Sequence, residues 1–406
     1  MNPRLDLLHP YPFERLRRLF AGIKPFYSGY EINLGIGEPQ HPTPAVITDA
    51  LQRAMPLLGK YPPTAGTPEL RATIAEWLGR RYAVTVEERE VLPVSGSREA
   101  LYAFAQAVLD PADPGVVLLP NPFYQIYEGA ALMVGAEPFY VPTPEGNGYL
   151  PDWSAVPEEV WLRVKLVYVC SPGNPTGAVL GLEDWNELFA YADRYGFTIA
   201  ADECYSEIYN EEPPVGALEA AKAYGRSHER LVVFNSLSKR SSAPGLRSGF
   251  VAGDPTILEK FLLYRTYQGC APSLVVQAAS VAAWNDESHV EENRAKYRSK
   301  YEATSRFFDY SGFPLSATVP AGGFFYWAKV EDGDDENFAK TLYSAYGLTV
   351  LPGTYLGRDA GTGNPGKGYV RIALVPELSA CESVFQHIGH LYDEIREGHW
   401  PRDPSQ

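Results

Sequence analysis

The stretch LVVFNSLSKRSSAPGLRSG, residues 231–249, joins an apolar run to a loop of small and hydroxyl residues around one lysine, Lys239. Leu231-Val232-Val233-Phe234 has the unbroken apolarity of a strand buried on both faces, as in a parallel sheet lying between helices. Ser236 and Ser238 precede Lys239, and Arg247 follows it among small residues. Taken alone, Lys239 reads more simply as an exposed lysine at a strand end. A buried amine gives up its proton more readily and can then attack a carbonyl. That reading suits imine formation with an aldehyde cofactor whose phosphate the hydroxyls and Arg247 would hold.

The same pattern extends outward from residue 231. Short apolar runs at Val91–Val94, Val116–Leu119, Glu137–Val141, Lys165–Cys170, Thr198–Ala201, Leu231–Asn235 and Gly249–Ala252 alternate with segments of helical period. Such alternation predicts βα units around a largely parallel buried sheet, an α/β fold. Helical periodicity is also read at Phe13–Ala21, Ala45–Leu58, Pro68–Tyr82, Pro255–Tyr267 and Val275–Phe308. Strands at Gly323–Lys329, Leu348–Leu351 and Tyr369–Leu374, with a closing helix at Glu382–Glu397, predict a smaller α+β part. The expected division is an N-terminal arm with part of the small domain (1–45), a large domain (46–285) and a small C-terminal domain (286–406). NLGIGEPQHPTP, 33–44, and the glycine-rich GRDAGTGNPGKG, 357–368, read as loops.

A chain of 406 residues has room for two domains, and its 45% apolar and 21% charged residues are those of a globular protein. The net charge of −15 disfavours a nucleic-acid partner, which needs a basic surface to release counterions. Four cysteines without CxxC spacing fit a reducing compartment better than a disulfide framework or a metal site. With no signal-peptide pattern and no long apolar segment, the expectation is a cytoplasmic protein without membrane contact.

In a parallel α/β sheet, ligands sit at the carboxyl ends of the strands, and the unusual polar residues fall there. Ser95-Gly96-Ser97 opens a helix after the first strand, either as a plain N-cap or as a phosphate cradle of free N–H groups at the positive dipole end. Ser171-Pro172-Gly173-Asn174-Pro175-Thr176-Gly177 would hold Asn174 in a fixed direction, or simply turn the chain. Asp202 ends a buried strand, where a carboxylate is costly unless paired; a salt bridge, a helix cap or a protonated ring nitrogen would each serve. Tyr205 follows three residues later. Jointly, one amine, one carboxylate, one amide, one phenol and a phosphate site match pyridoxal 5′-phosphate. Arg371, on the alternating strand Tyr369–Leu374, would be buried unless an acid meets it, either a structural partner or a substrate carboxylate.

On these motifs the chain resembles the fold-type-I, class I/II PLP-dependent aminotransferases over nearly its full length. The resemblance implies Lys239 as the residue that binds the cofactor covalently, with Asp202 on the pyridine nitrogen. It implies Asn174 and Tyr205 at the ring oxygen, and Gly96, Ser97, Ser236 and Arg247 at the phosphate. PNPFYQIY, 120–127, implies Tyr124 stacked on the ring, with Tyr102, Phe104, Phe123 and Tyr127 as nearby alternatives. KYPPTAGTPELR, 60–71, implies Tyr61 reaching the phosphate of a neighbouring subunit, hence a homodimer. GYVRIAL, 368–374, implies Arg371 on the substrate α-carboxylate, with Gly37 nearby. Within the family, MNPRLDLLHPYPFERLRRLFAGIKP, SLSKRS and RTYQGCAPS resemble the succinyldiaminopimelate aminotransferases of lysine biosynthesis. The implied reaction exchanges an amino group between glutamate and N-succinyl-2-amino-6-oxopimelate. An aspartate or aromatic aminotransferase and a carbon–sulfur lyase would share the same cofactor residues. A PLP-binding regulator would need a DNA-binding domain ahead of residue 33. Arg265, Arg240 and Lys329 are cationic candidates for a second substrate carboxylate.

Overall fold

The computed structural model describes residues 1–399 apart from Ser28 and Tyr30. Seven strands form the main sheet: β1 (Val91–Val94), β2 (Val116–Asn121), β3 (Glu137–Pro142), β4 (Val164–Cys170), β5 (Thr198–Asp202), β6 (Leu231–Ser236) and β7 (Gly249–Gly253). Their order is β1-β7-β6-β5-β4-β2-β3, and β7 alone runs against its neighbours. The reversal has a local cause. Between β6 and β7 the chain makes one helical turn and the lysine loop, whereas a parallel return needs a full crossover helix. Every residue of β1, β2, β6 and β7 is buried. That accounts for their continuous apolar sequence, since helices cover both faces.

One apolar cluster, including Trp77, Trp185, Phe250 and Trp284, fills the space on one face of the sheet, and Phe104, Phe123, Tyr127 and Phe261 fill the other. The helices start on side-chain caps where the sequence offers them. Thr67 accepts from Leu70 N ahead of Pro68–Tyr82, and Asp254 accepts from Thr256 N and Ile257 N ahead of Pro255–Gln268. The expected continuous helix Val275–Phe308 is instead two, Leu274–Asn285 and Ser288–Ser305. The Asp286 carboxylate accepts from the Ser288 hydroxyl and from His289 N at 3.0 Å, and so starts a new helix in place of continuing the old one.

A second, antiparallel sheet has the order β10-β11-β9-β8, with β8 (Leu315–Ser316), β9 (Phe325–Val330), β10 (Leu351–Pro352) and β11 (Tyr369–Ala373). The closing helix, Leu378–Arg396, covers it through Val384, Phe385 and Ile388. The N-terminal loop joins this sheet: Leu34 N donates to Thr349 O at 2.8 Å and Ala373 N to Leu34 O at 2.7 Å. The cavity described next lies between the two sheets. Among the described residues, no helix is long and apolar enough to cross a membrane.

Candidate active site

Strand direction gathers the site. β1, β2, β4, β5 and β6 all end at one edge of the main sheet and β7 begins there, Ser236 lying opposite Gly249. The segments that leave this edge, with Gly37 from the N-terminal loop and Phe325 and Arg371 from the second sheet, enclose a cavity of about 580 Å³. Gly37, Ser97, Tyr124, Asn174, Asp202, Tyr205, Ser236, Lys239, Arg247 and Arg371, all singled out in the sequence, line it.

Lys239 follows β6 on a single helical turn that Ser236 caps, its hydroxyl accepting from Ser238 N at 3.1 Å. The amine donates to Gly37 O at 2.5 Å and stands 6.0 Å from the centre of the Tyr205 ring. Burial lowers its pKa to about 8; the Arg371 and Arg98 charges push the same way, and Cys204 and Glu38 oppose them. The nitrogen is therefore poised to lose its proton near neutrality.

Asp202 closes β5, paired in register with Cys170 on one side and Phe234 on the other. No cation pairs with it among the described residues. Tyr127 donates its hydroxyl to Oδ2 at 2.7 Å and Cys204 N donates to Oδ1 at 3.2 Å. Burial raises the Asp202 carboxyl above its ordinary range despite these bonds. A carboxylate aimed into the cavity with neutral partners only is suited to a protonated ring nitrogen. Tyr205 lies in the wall with its ring edge-on to Phe324 and Phe325.

At the other end of the cavity the groups suit an anion. The twelve-residue helix Ser97–Val108 begins at Gly96 without a side-chain cap, so its first N–H groups face the site. Gly96 has φ 85°, and a Cβ there would come within 2.4 Å of the Arg247 guanidinium. The positive φ favours glycine, and an added Cβ would displace the Arg247 guanidinium. Arg247 itself sits at φ 51°, donates to Pro244 O at 2.8 Å and reaches Ser238 Oγ at 3.5 Å. Ser236 and Ser238 share a hydroxyl bond of 2.9 Å. Helix start, arginine and three serine hydroxyls thus converge.

Arg371 is 4% exposed, and among the described residues no carboxylate lies within ion-pair distance of it. Its Nη1 donates to Asn174 Oδ1 at 2.8 Å and its Nη2 to Gly35 O at 2.7 Å, while the buried Nε has no partner. Burial lowers its pKa to about 10. Because Arg371 takes the Asn174 oxygen, the amide nitrogen of Asn174 is the end left to donate.

Other expectations fall elsewhere. Arg265 is held by both oxygens of Glu99, at 2.9 and 2.7 Å, and by Cys270 O. Arg240 is buried against Trp284 and bonds Glu287 at 2.5 Å and Ala283 O at 2.8 Å. Lys329 pairs with Glu145 on the surface at 3.3 Å. None of the three lines the cavity, so the sequence candidates for a second substrate carboxylate are structural or solvated. Tyr61 is 100% exposed and lies outside the cavity of its own protomer. The sequence reading missed Arg98 and Cys204, and it did not foresee the Tyr127 bond to Asp202. Arg98 Nε donates to the Tyr124 hydroxyl at 2.7 Å, and the guanidinium lies 6.0 Å from the Tyr11 ring centre.

Residues 30–388 match the family model for aminotransferase class I and II. The chain belongs to this family. An LL-diaminopimelate aminotransferase of Desulforudis audaxviator is 35% identical to this aminotransferase, covering 91% of the chain and 92% of the relative. A crystal structure of an aminotransferase from Neisseria meningitidis is 51% identical, with TM-score 0.93, over 97% of this chain and all of that one. A probable N-succinyldiaminopimelate aminotransferase of Thermus thermophilus is 27% identical, with TM-score 0.81, over 94% and 98% of the two chains. Members of the family use pyridoxal 5′-phosphate, and the cavity fits it: an amine of lowered pKa, a carboxylate without an ion-pair partner, and an anion cradle of Arg247 and serine hydroxyls line it, with Gly96 behind Arg247 and outside the lining. The fold is accordingly that of the fold-type-I PLP enzymes.

Proposed function

We propose that this aminotransferase exchanges an amino group between glutamate and N-succinyl-2-amino-6-oxopimelate, within diaminopimelate and lysine biosynthesis. The observation that carries amino-acid chemistry is the buried, acid-free Arg371 facing the Lys239 amine across one cavity. Arg98, a second cation in that cavity with no carboxylate partner among the described residues, supports a substrate that is acidic at its far end. The relatives named for diaminopimelate substrates support the pathway.

Lys239 would hold the cofactor covalently, Asp202 would pair with its ring nitrogen, and Asn174 and Tyr205 would donate to its ring oxygen. Gly96, Ser97, Ser236 and Arg247 would bind its phosphate, and Tyr124 would cover its ring. When bound, the cofactor supplies an electron sink for charge developing at the substrate α-carbon. Arg371 grips the α-carboxylate bidentately beside Gly37, orienting the Cα–H bond toward Lys239. The neutral Lys239 amine then takes the Cα proton, a transfer typically worth about 10²–10⁴-fold. The same residues act in reverse on the second substrate, which gives ping-pong kinetics. Tyr61 is assigned to the phosphate of a partner protomer in a homodimer, acting in the cytoplasm.

A second reading, direct LL-diaminopimelate transamination, is favoured by the 35% identical relative. Purified enzyme should be assayed with glutamate and the succinylated keto acid, and in parallel with LL-diaminopimelate and 2-oxoglutarate. Oxaloacetate, aromatic keto acids and cystathionine complete the panel. Preference for the succinylated acceptor supports the proposal, and preference for the free LL-isomer replaces it with the second reading. Pyruvate release from cystathionine, or aspartate preferred over all others, overturns both.

A further inference from the structure

Behind the cavity wall lies a buried group of polar side chains that takes no part in the chemistry above. Lys300 is 1% exposed and His41 6%. The Lys300 amine donates to His41 Nε2 at 2.7 Å, to Leu374 O at 3.0 Å and to Val375 O at 3.4 Å. Those bonds use all three ammonium hydrogens. His41 Nδ1 stands 3.2 Å from Asn293 Oδ1, and Asn293 Nδ2 donates to Lys239 O at 3.0 Å and Arg240 O at 3.2 Å. The polarity of the chain is fixed. Asn293 spends its N–H groups on carbonyls, so its oxygen accepts from His41 Nδ1–H, and His41 Nε2 is left to accept from Lys300.

The two ends of this chain are the two halves of the site. Leu374 and Val375 directly follow β11, three and four residues past Arg371, and the other end holds the peptide carbonyl of Lys239. Asn293 and Lys300 are seven residues apart on Ser288–Ser305, two turns along one helix face. The N-terminal loop adds a third tie, since Gly35 O accepts from Arg371, Gly37 O from Lys239, and His41 belongs to the relay. Among the described residues, no carboxylate pairs with Lys300. Its charged and titratable surroundings are His41 from the loop, Lys296 and Tyr297 from its own helix, the Tyr297 ring centre lying 4.8 Å from the amine, and Glu377 and Cys381 from the start of the closing helix. Burying an amine there without a counter-ion costs free energy that a hydrophobic residue would not.

We propose that Lys300, His41 and Asn293 form a positioning relay that sets the Lys239 amine relative to the Arg371 guanidinium. The proposal rests on the roles assigned to Lys239 and Arg371 above. None of the three residues lines the cavity, so each can be changed without touching cofactor or substrate.

Lys300→Met keeps length and removes every donor, and Asn293→Ala cuts the link at the Lys239 carbonyl. The holoenzyme of each is compared with the wild type by pH titration of the cofactor absorbance, by kcat and KM, and by hydrogen exchange of segments 237–243 and 369–375. The expected result is a folded protein that still attaches the cofactor, with the absorbance midpoint moved by roughly one pH unit. The relay also predicts kcat lower by roughly 10–100-fold with KM little changed, because a small misplacement costs that much. Exchange should rise in both segments together. Should Lys300→Met fail to fold, Asn293→Ala carries the test. Wild-type midpoint, kcat and exchange in a folded variant overturn the relay, as does a lower melting temperature with all three unchanged. A wild type that never attaches cofactor at Lys239 overturns the site assignment instead; the relay then stands or falls on the paired hydrogen exchange alone.

Discussion

Arg371 donates to Asn174 across the cavity at 2.8 Å, so a residue of the second sheet is tied to the loop that leaves β4 of the first. The bond orients both groups at once. It leaves the guanidinium edge free for a carboxylate and turns the amide nitrogen of Asn174 toward the cavity.

Replacing Arg371 by Lys should raise KM for amino acids by roughly 10–100-fold, because a point charge lacks the planar fork. Since Arg371 is buried without an acid, Arg371→Met should not lower the melting temperature of the apoprotein. A marked loss of stability would mean that the arginine is structural. Calorimetry of the apo form, beside steady-state kinetics, decides this.

Lys239→Ala should abolish turnover and leave no cofactor covalently bound after borohydride reduction, read by mass spectrometry. The wild-type apoprotein offers a finer check. Only the neutral amine attacks a carbonyl, and burial sets its pKa at about 8. The rate of covalent uptake should therefore climb with pH up to about 8 and level off above it. A rate that is flat from pH 6 to pH 10 contradicts the burial argument.

Asp202→Asn should separate function from stability. The folded-state pKa of this carboxyl is raised by burial, so the fold binds its proton more tightly than the unfolded chain does. Its contribution therefore diminishes as pH rises through the raised value, and at neutral pH the ionised group destabilises the apoprotein. The amide should raise the apo melting temperature while reducing kcat by two orders of magnitude or more, on the order expected for a lost charge partner of the cofactor. Equal melting temperatures would show that the Tyr127 bond already compensates for burial.

Gly96→Ala places a Cβ where the Arg247 guanidinium now sits, 2.4 Å away, at a φ of 85° that favours glycine. Cofactor affinity should fall by roughly tenfold or more, the scale of a displaced charged hydrogen bond, with the fold retained. Equilibrium dialysis of pyridoxal phosphate measures it, and unchanged affinity would remove Arg247 from the phosphate site.

If Tyr61 serves the partner protomer, Tyr61→Ala and Lys239→Ala should complement each other. A mixed dimer holds one site with both residues intact, and half the dimers of an equal, fully exchanged mixture are mixed, so mixing two impaired proteins should restore activity toward about a quarter of wild type. No recovery on mixing, with exchange of protomers verified, would place Tyr61 outside the site.

The linear chain was sufficient to gather Lys239, Asp202, Asn174 and Ser97 around one cavity, because each lies at or just past a strand end, and strand ends in a parallel sheet share one edge. Unbroken apolar runs such as Leu231–Phe234 fixed that sheet, since only burial on both faces tolerates them. The sequence could not say where a cation points. Arg240 follows Lys239 by one residue yet turns away to pack on Trp284, and Arg98, which carries no motif of its own, faces the cavity. Nor could it show that His41, Asn293 and Lys300, up to 259 residues apart, meet behind the site. Backbone periodicity is a local property written in neighbouring residues, whereas the partner of a buried charge is chosen by whichever distant groups the packed core brings within hydrogen-bond reach.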